Sequence, residues 1–315
     1  MEVKKISSEK NKNKLKSNYR PEEFEEFIGQ EEIKKVLKTA VKSAHKRNDK
    51  LGHMLFSGES GYGKTTLAQI VAKDFGSNIK IITGYAITKP SEIISILNSL
   101  EKNDILFIDE IHRIKPNIEE VLYPAMEDFC IDMVMPEGGN VRVSINEFCL
   151  IGATTKLEML TQPLKNRFVY KFHFSDYTDN EKNQIIEKYL NFYNIDFDKK
   201  IINRISENIV STPREINNFC VKLRDYITTK QQTNKLGEKE WELFKNRAKL
   251  EKGGLQDIHR KYLKIIQEQN GGPVGLKTIS VKLGVNEKAV ENDIEPLLMK
   301  LGKIEKTTRG RVMLE

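Results

Sequence analysis

Nine residues, Gly58-Glu59-Ser60-Gly61-Tyr62-Gly63-Lys64-Thr65-Thr66, constrain this chain more than any other stretch. They fit the pattern G-x-x-x-x-G-K-[ST] in full. An apolar run, Met54-Leu55-Phe56, precedes them and a helical pattern, Leu67-Ala68-Gln69-Ile70-Val71-Ala72, follows. A strand, a glycine loop and a helix in that order aim backbone N–H groups at phosphate oxygens from a helix N-terminus. Gly61, Gly63 and Thr66 belong to that cradle, Lys64 is expected to reach the β- and γ-phosphates, and Thr65 is expected to ligate Mg²⁺. The motif therefore predicts a bound nucleotide, ATP with Mg²⁺, inside an α/β fold with a parallel sheet.

A second carboxylate-bearing strand end follows. Ile105-Leu106-Phe107-Ile108 is an apolar run that ends in Asp109-Glu110. Beside the phosphates, Asp109 would hold the metal through its water shell and Glu110 would orient the attacking water as general base. The pair points to hydrolysis. Three later positions fit the same chemistry. Thr155 ends the apolar run Leu150–Thr154 and could sense a γ-phosphate. Arg167, in Pro163-Leu164-Lys165-Asn166-Arg167-Phe168, closes a helix from which it would reach a neighbouring subunit. Arg214 opens a helix after Ser211-Thr212-Pro213 and could touch the γ-phosphate.

Along the chain, residues 21–177 alternate strand-like runs with helical patterns, as a parallel sheet flanked by helices requires. The strands are expected at His53–Ser57, Ile79–Thr83, Ile105–Asp109, Phe148–Gly152 and Val169–Phe174, with a helix over Glu31–Lys46 before the first. Residues 179–249 read as helices only, the first capped by Asp179. The last segment reads as helices over Leu255–Gln269, Leu276–Leu283 and Glu287–Leu298, the third with Asn286 as its cap, then a hairpin around Thr307-Thr308-Arg309-Gly310. Three helices and a β-hairpin make a winged helix. The expected division is a basic tail over 1–18, a large ATPase domain over 19–177, a small all-α lid over 178–251 and a winged-helix head over 252–315.

Composition limits the remaining choices. No apolar run approaches the roughly 18 residues of a membrane span, and the Lys- and Asn-rich N-terminus lacks the apolar stretch of a secretory signal. The three cysteines, Cys130, Cys149 and Cys220, have no metal-binding spacing and read as reduced and buried. A cytoplasmic protein with no membrane partner is expected. The net charge is +7, of which residues 1–20 carry +5 and residues 252–315 carry +4, leaving −2 for the middle. Basic ends on a near-neutral body predict contact with a polyanion away from the nucleotide.

The sequence resembles the RuvB family of AAA+ ATPases, which drive branch migration at Holliday junctions. The resemblance rests on Arg20-Pro21 with Phe27-Ile28-Gly29-Gln30, the phosphate loop, Leu106–Arg113, Leu122-Tyr123-Pro124-Ala125-Met126-Glu127-Asp128, Leu150–Thr155, Pro163–Phe168, Thr212-Pro213-Arg214, Gly271–Leu276 and Arg309-Gly310-Arg311-Val312. It implies a homo-hexameric ring that works with a RuvA-like protein on four-way junctions and moves duplex DNA by hydrolysing ATP, in recombination and repair. It makes Arg167 an arginine finger acting on the next subunit, a device that contributes about 10³–10⁵-fold to turnover in GTPases. It also implies nucleotide contacts for Tyr19, Arg20, Glu127, Asp128, Phe129 and Tyr177, and a RuvA-docking hairpin within 131–145. Five residues depart from the family: Glu59-Ser60 stands where relatives usually carry two prolines, Ser57 where they carry an aromatic residue or Gly, Lys165 where an Arg is common, and Glu287 where many carry a DNA-contacting Arg. A clamp-loader-like scaffold switched by ATP is the alternative, and a C-terminal winged helix argues against it.

For DNA, the third helix of the winged segment carries Glu287, Glu291, Asp293 and Glu295, which phosphate would repel. The wing carries Lys303, Lys306, Arg309 and Arg311 instead; DNA contact is expected of Lys306, Arg309 and Arg311, of which Lys306 and Arg311 match the family's DNA-contacting positions. Backbone contact through the wing, independent of sequence and sensitive to salt, is expected.

Overall fold

In the computed structural model, residues 19–134, 140–209, 212–230, 235–250, 252–270 and 272–314 are described, and the 1–18 tail, the tip of the 131–145 hairpin and Gly271 lie outside them. The chain divides into two compact units. The first spans residues through Glu181 together with Thr212–Arg214, and the second holds the rest.

The first unit runs α1 (Glu31–Arg47), β1 (Met54–Ser57), α2 (Lys64–Phe75), β2 (Ile79–Thr83), α3 (Pro90–Asn98), β3 (Ile105–Asp109), α4 (Pro116–Glu127), β4 (Cys130–Val134), β5 (Asn140–Ser144), β6 (Cys149–Thr154), α5 (Gln162–Arg167) and β7 (Tyr170–His173). Five strands form one parallel sheet in the order β2-β3-β6-β1-β7. Its central strands are buried along nearly their whole length, which is why they read as unbroken apolar runs rather than as alternation. Helices α3 and α4 bury Ile93, Leu97, Ile118 and Leu122 against Leu106 and Ile108 on one face of that sheet. Each such side chain contributes roughly 1.5–3 kcal/mol by leaving water.

The register positions the chemistry. Ser57 on β1 pairs with Thr154 on β6, and Ile108 on β3 pairs with Gly152 on β6. The carboxyl ends of β1, β6 and β3 therefore lie side by side, and the loops after them emerge on one edge, where open α/β sheets hold ligands. β4 and β5 form a separate antiparallel pair in which Ile131 is buried and Val141 is 44 % exposed.

The strand bounds agree with the sequence expectation to within two residues. One cap differs. Thr178 rather than Asp179 closes the N-terminus of α6 (Asp179–Phe192), because its hydroxyl accepts from Glu181 N at 3.3 Å while Glu181 Oε2 accepts from Thr178 N at 2.7 Å.

The second unit continues with β8 (Asp196–Phe197), α7 (Lys199–Glu207), α8 (Pro213–Lys230), β9 (Lys235–Leu236), α9 (Glu238–Ala248), α10 (Asp257–Gln267), α11 (Leu276–Leu283), α12 (Glu287–Ala289), α13 (Glu295–Lys300), β10 (Ile304–Thr307) and β11 (Gly310–Met313). The helices-only expectation for 179–249 is corrected by β8 and β9, a two-residue parallel pair. The single helix expected over Glu287–Leu298 is corrected as well. Asn286 caps it as expected, its side chain accepting from Ala289 N at 2.7 Å, but Val290–Ile294 widens into a π-turn. Pro296 explains this: it has no N–H for the carbonyl four residues back, so the ladder opens just before it. Tyr262, Ile266, Ile279, Val290, Leu298 and Ile304 form the core beneath the β10–β11 hairpin. Cys130, Cys149 and Cys220 are free and buried. No helix among the described residues is long and apolar enough to cross a membrane.

Candidate active site

Gly63 caps α2 with φ 93°, and a Cβ there would sit 2.7 Å from the Phe27 ring, so only glycine fits. The loop before it curls so that Lys64, which is buried, donates from Nζ to Gly58 O at 2.7 Å and to Glu59 O at 2.8 Å. Burial pulls the Lys64 ammonium below its ordinary pKa, and the nearby Asp109 and Glu110 carboxylates oppose that pull. Tyr62 is buried beneath the loop and donates to Asp176; burial first, then that hydrogen bond, pushes its phenol well above the usual range. Tyr177 donates to Tyr62 O at 3.0 Å and stacks edge-on against the Tyr62 ring. Of the residues expected on the nucleotide, Tyr177 thus braces the loop from below.

On β3, burial raises the Asp109 carboxyl, while Glu110 N donates to its Oδ1 at 3.0 Å and opposes the rise. Glu110 holds left-handed backbone angles, φ 49° and ψ 48°, an uncommon conformation for a residue with a side chain. Its carbonyl lies 2.5 Å from where a Cβ of Gly84 would be, so the end of β2 must be glycine for this turn to form. Thr155 Oγ1 donates to Glu110 Oε2 at 3.0 Å. His112 Nδ1 lies 3.1 Å from the same oxygen and 2.9 Å from Thr154 Oγ1. A cleft of about 520 Å³ opens here, lined by Gly58, Glu59, Thr155, Glu158, His173 and Asp176 among others.

Arg214 donates to Ser60 Oγ at 2.8 Å, and a Cβ on Gly61 would meet Thr212 and Arg214 at 3.0–3.1 Å. Ser60, unexplained from the sequence, thereby supplies an acceptor that a proline could not. Arg20 lies beside α2, donating to Gln69 at 3.1 Å, and burial raises the Tyr19 phenol.

Arg167 stands apart from this cluster. It donates to Pro163 O at 2.9 Å and to Glu127 at 3.1 Å, and its guanidinium lies 4.2 Å from the Tyr123 ring centroid. Its Nε is buried and has no hydrogen-bond partner among the described residues. Asp128 lies 3.6 Å from Arg142, and Phe129 packs on Phe148 and His53 under Lys50. Glu127, Asp128 and Phe129 thus gather around Arg167 and the β4–β5 pair, while Lys64, Asp109, Glu110, Thr155 and Arg214 gather at the phosphate loop. No spacing in the sequence announced His112 or Tyr123 as members of these groups, or Ser60 as the partner of Arg214, since each meets its partner only through the fold.

Chemically, the first group sets two cations, Lys64 and Arg214, beside the carboxylates of Asp109 and Glu110, a set that can bind phosphate oxygens. The hydroxyl of Thr65 with the carboxylate of Asp109 is the oxygen donor set that a Mg²⁺ shared with phosphates takes.

The chain matches the family described as the Holliday junction DNA helicase RuvB P-loop domain over residues 19–174, and the RuvB C-terminal winged helix domain over residues 252–314. The chain belongs to the RuvB family. A Holliday junction branch migration complex subunit RuvB from Rickettsia africae is 38% identical over 312 residues, 98% of this chain and 91% of that protein. The subunit of the same name from Fusobacterium nucleatum is 37% identical over 96% of this chain and 92% of its own length. The solved structure of the Thermotoga maritima RuvB Holliday junction branch migration motor superposes with a TM-score of 0.81 at 35% identity, covering 94% of this chain and 95% of that one.

In the winged segment, Glu295 is fully buried and accepts from Arg311 Nε at 2.8 Å, Lys306 Nζ at 2.8 Å and Tyr262 OH at 2.9 Å. Glu291 takes a further bond from Arg311 at 3.1 Å. Repulsion of phosphate by Glu295 is therefore not what the third helix presents, because that charge is neutralised inside the fold. Of the three wing cations expected on DNA, Arg311 is held within the domain, Lys306 is half-committed, and Arg309 is exposed at the hairpin tip.

Proposed function

We propose that this chain is an ATP-dependent DNA translocase that drives Holliday-junction branch migration in recombination and repair, as a homo-hexameric ring in the cytoplasm with a RuvA-like partner. The observation that carries this is the convergence of the phosphate loop, Asp109-Glu110 and Thr155 on one sheet edge, in a family whose curated members are branch migration complex subunits. ATP, with Mg²⁺ held by Thr65 and Asp109, supplies the phosphoanhydride and the charge neutralisation. The protein's own residues do the rest. Lys64 exchanges its two loop carbonyls for phosphate oxygens, Glu110 takes the proton from the attacking water, and Thr155 and Arg214 bind the γ-phosphate.

Arg167 and its companions Glu127, Asp128 and Phe129 act on the nucleotide of the adjacent protomer. Residues 178–251 serve as the lid, and 252–315 as the DNA-binding head, which the clamp-loader alternative lacks. The 131–145 hairpin, with exposed Val141, is the docking edge for the RuvA-like protein. Glu110→Gln tests the core of this reading. Nucleotide should still bind, measured by a fluorescent ATP analogue, while phosphate release stops; normal turnover by that variant would refute it.

A further inference from the structure

We infer that His112 is the positioning residue that aims the Glu110 carboxylate at the attacking water, an assignment resting on Glu110 being the base. The His112 side chain is 3% exposed and sits in the 3-10 turn Ile111–Arg113, directly after the left-handed Glu110. The backbone of that turn is fixed: Arg113 N donates to Glu110 O at 2.9 Å and Gly84 closes on the same carbonyl. Only the Glu110 side-chain torsions remain free.

Thr155 Oγ1 donates to Oε2 at 3.0 Å, and His112 Nδ1 lies 3.1 Å from the same oxygen, within ion-pair distance. A carboxylate only accepts, so this contact is favourable with the imidazole proton on Nδ1. Burial lowers the His112 pKa and so favours the neutral ring. The hydrogen bond that Nδ1 makes is with Thr154 Oγ1 at 2.9 Å, and Thr154 is itself fixed by accepting from Lys156 N at 2.9 Å. The ring is thus tied to the end of β6, the strand between the phosphate loop and the carboxylates.

Holding Oε2 leaves Oε1, which has no hydrogen bond among the described residues, to accept from water. Thr155 has a competing partner once nucleotide is present. When its hydroxyl turns to the γ-phosphate, His112 is the donor that keeps Glu110 aimed. A misplacement of about 1 Å at a reacting group can cost about 100-fold in rate.

The test uses the full-length protein and a pair of amides. In His112→Asn the amide nitrogen replaces Nδ1; in His112→Gln it replaces Nε2 and leaves the Nδ1 position empty. His112→Gln should lower kcat about 10–100-fold with the Kd for a fluorescent ATP analogue within about twofold, and His112→Asn should recover kcat to within about threefold. Turnover by His112→Gln within twofold of the parent overturns the inference, as does equal damage by both amides. Should His112→Gln fail to bind the analogue, Thr154→Val replaces it, with a loss of about three- to tenfold in kcat expected and unchanged kcat overturning. Glu110→Gln is the reference: normal turnover there refutes the base assignment itself, whereas an inactive Glu110→Gln beside an undisturbed His112→Gln refutes only the role of His112.

Discussion

At the scale of single residues, the phosphate loop is braced by its own side chains. Lys64 donates to two loop carbonyls and Arg214 donates to Ser60. Ser60→Ala removes an exposed acceptor while leaving the loop backbone unchanged. ATP affinity should change by less than about threefold and stability by less than about 0.5 kcal/mol, read by analogue binding and thermal melting. Arg167 presents the opposite case. Glu127, Pro163 O and the Tyr123 face hold it against its own α5 and α4. Arg167→Ala should cut turnover by about 10³-fold or more with ATP binding retained. Mixing it with Glu110→Gln protomers should restore part of the activity at mixed interfaces, since one supplies the base and the other the finger; no recovery at any ratio would show that the finger does not act in trans.

At the scale of elements, the winged segment depends on a buried charge cluster. Burial alone would raise the Glu295 carboxyl, but hydrogen bonds from Arg311, Lys306 and Tyr262 outweigh it and hold the group below its ordinary value. A depressed carboxylate pKa contributes stability above the unfolded value near 4.5 and loses it as pH falls through the folded value. Melting of the protein should therefore weaken steeply below about pH 4.5 in the unit that holds the wing. Glu295→Ala leaves two cations facing a buried gap and should cost about 3 kcal/mol, the lower end for a broken buried pair because Lys306 is partly exposed.

Much of this level was legible in the sequence. Unbroken apolar runs marked the central strands because both faces of a parallel sheet are covered, and Asn286 marked its cap. What escaped was whatever depends on contacts between distant segments. Glu295 read as a surface acid until Arg311, sixteen residues on, closed over it. His112 read as one more residue of Leu106–Arg113 until β6 brought Thr154 beside it. The π-turn before Pro296 was readable in principle from the missing N–H, but helical periodicity concealed it.

At the scale of the whole molecule, the phosphate loop and the winged-helix segment are separated along the chain, with basic charge at both ends and a near-neutral body. Contact through phosphates should give an affinity for duplex DNA that falls linearly in log–log form with salt. Arg309→Ala should shrink that slope by about 0.9, the value of one phosphate contact, with stability unchanged. Arg311→Ala should act differently, lowering the melting temperature because it abandons Glu295. A slope unaffected by Arg309→Ala, or lost equally in both variants without any change in melting, would move the DNA surface off the wing tip.

The most direct measurement of the central claim is ATP-driven dissolution of a synthetic four-way junction by this chain together with a RuvA-like partner. The parent protein should convert junction to duplex products only with ATP and the partner, and Glu110→Gln should bind ATP yet move nothing. A junction left intact by the parent under those conditions, or dissolved at the parent's rate by Glu110→Gln, would contradict that claim.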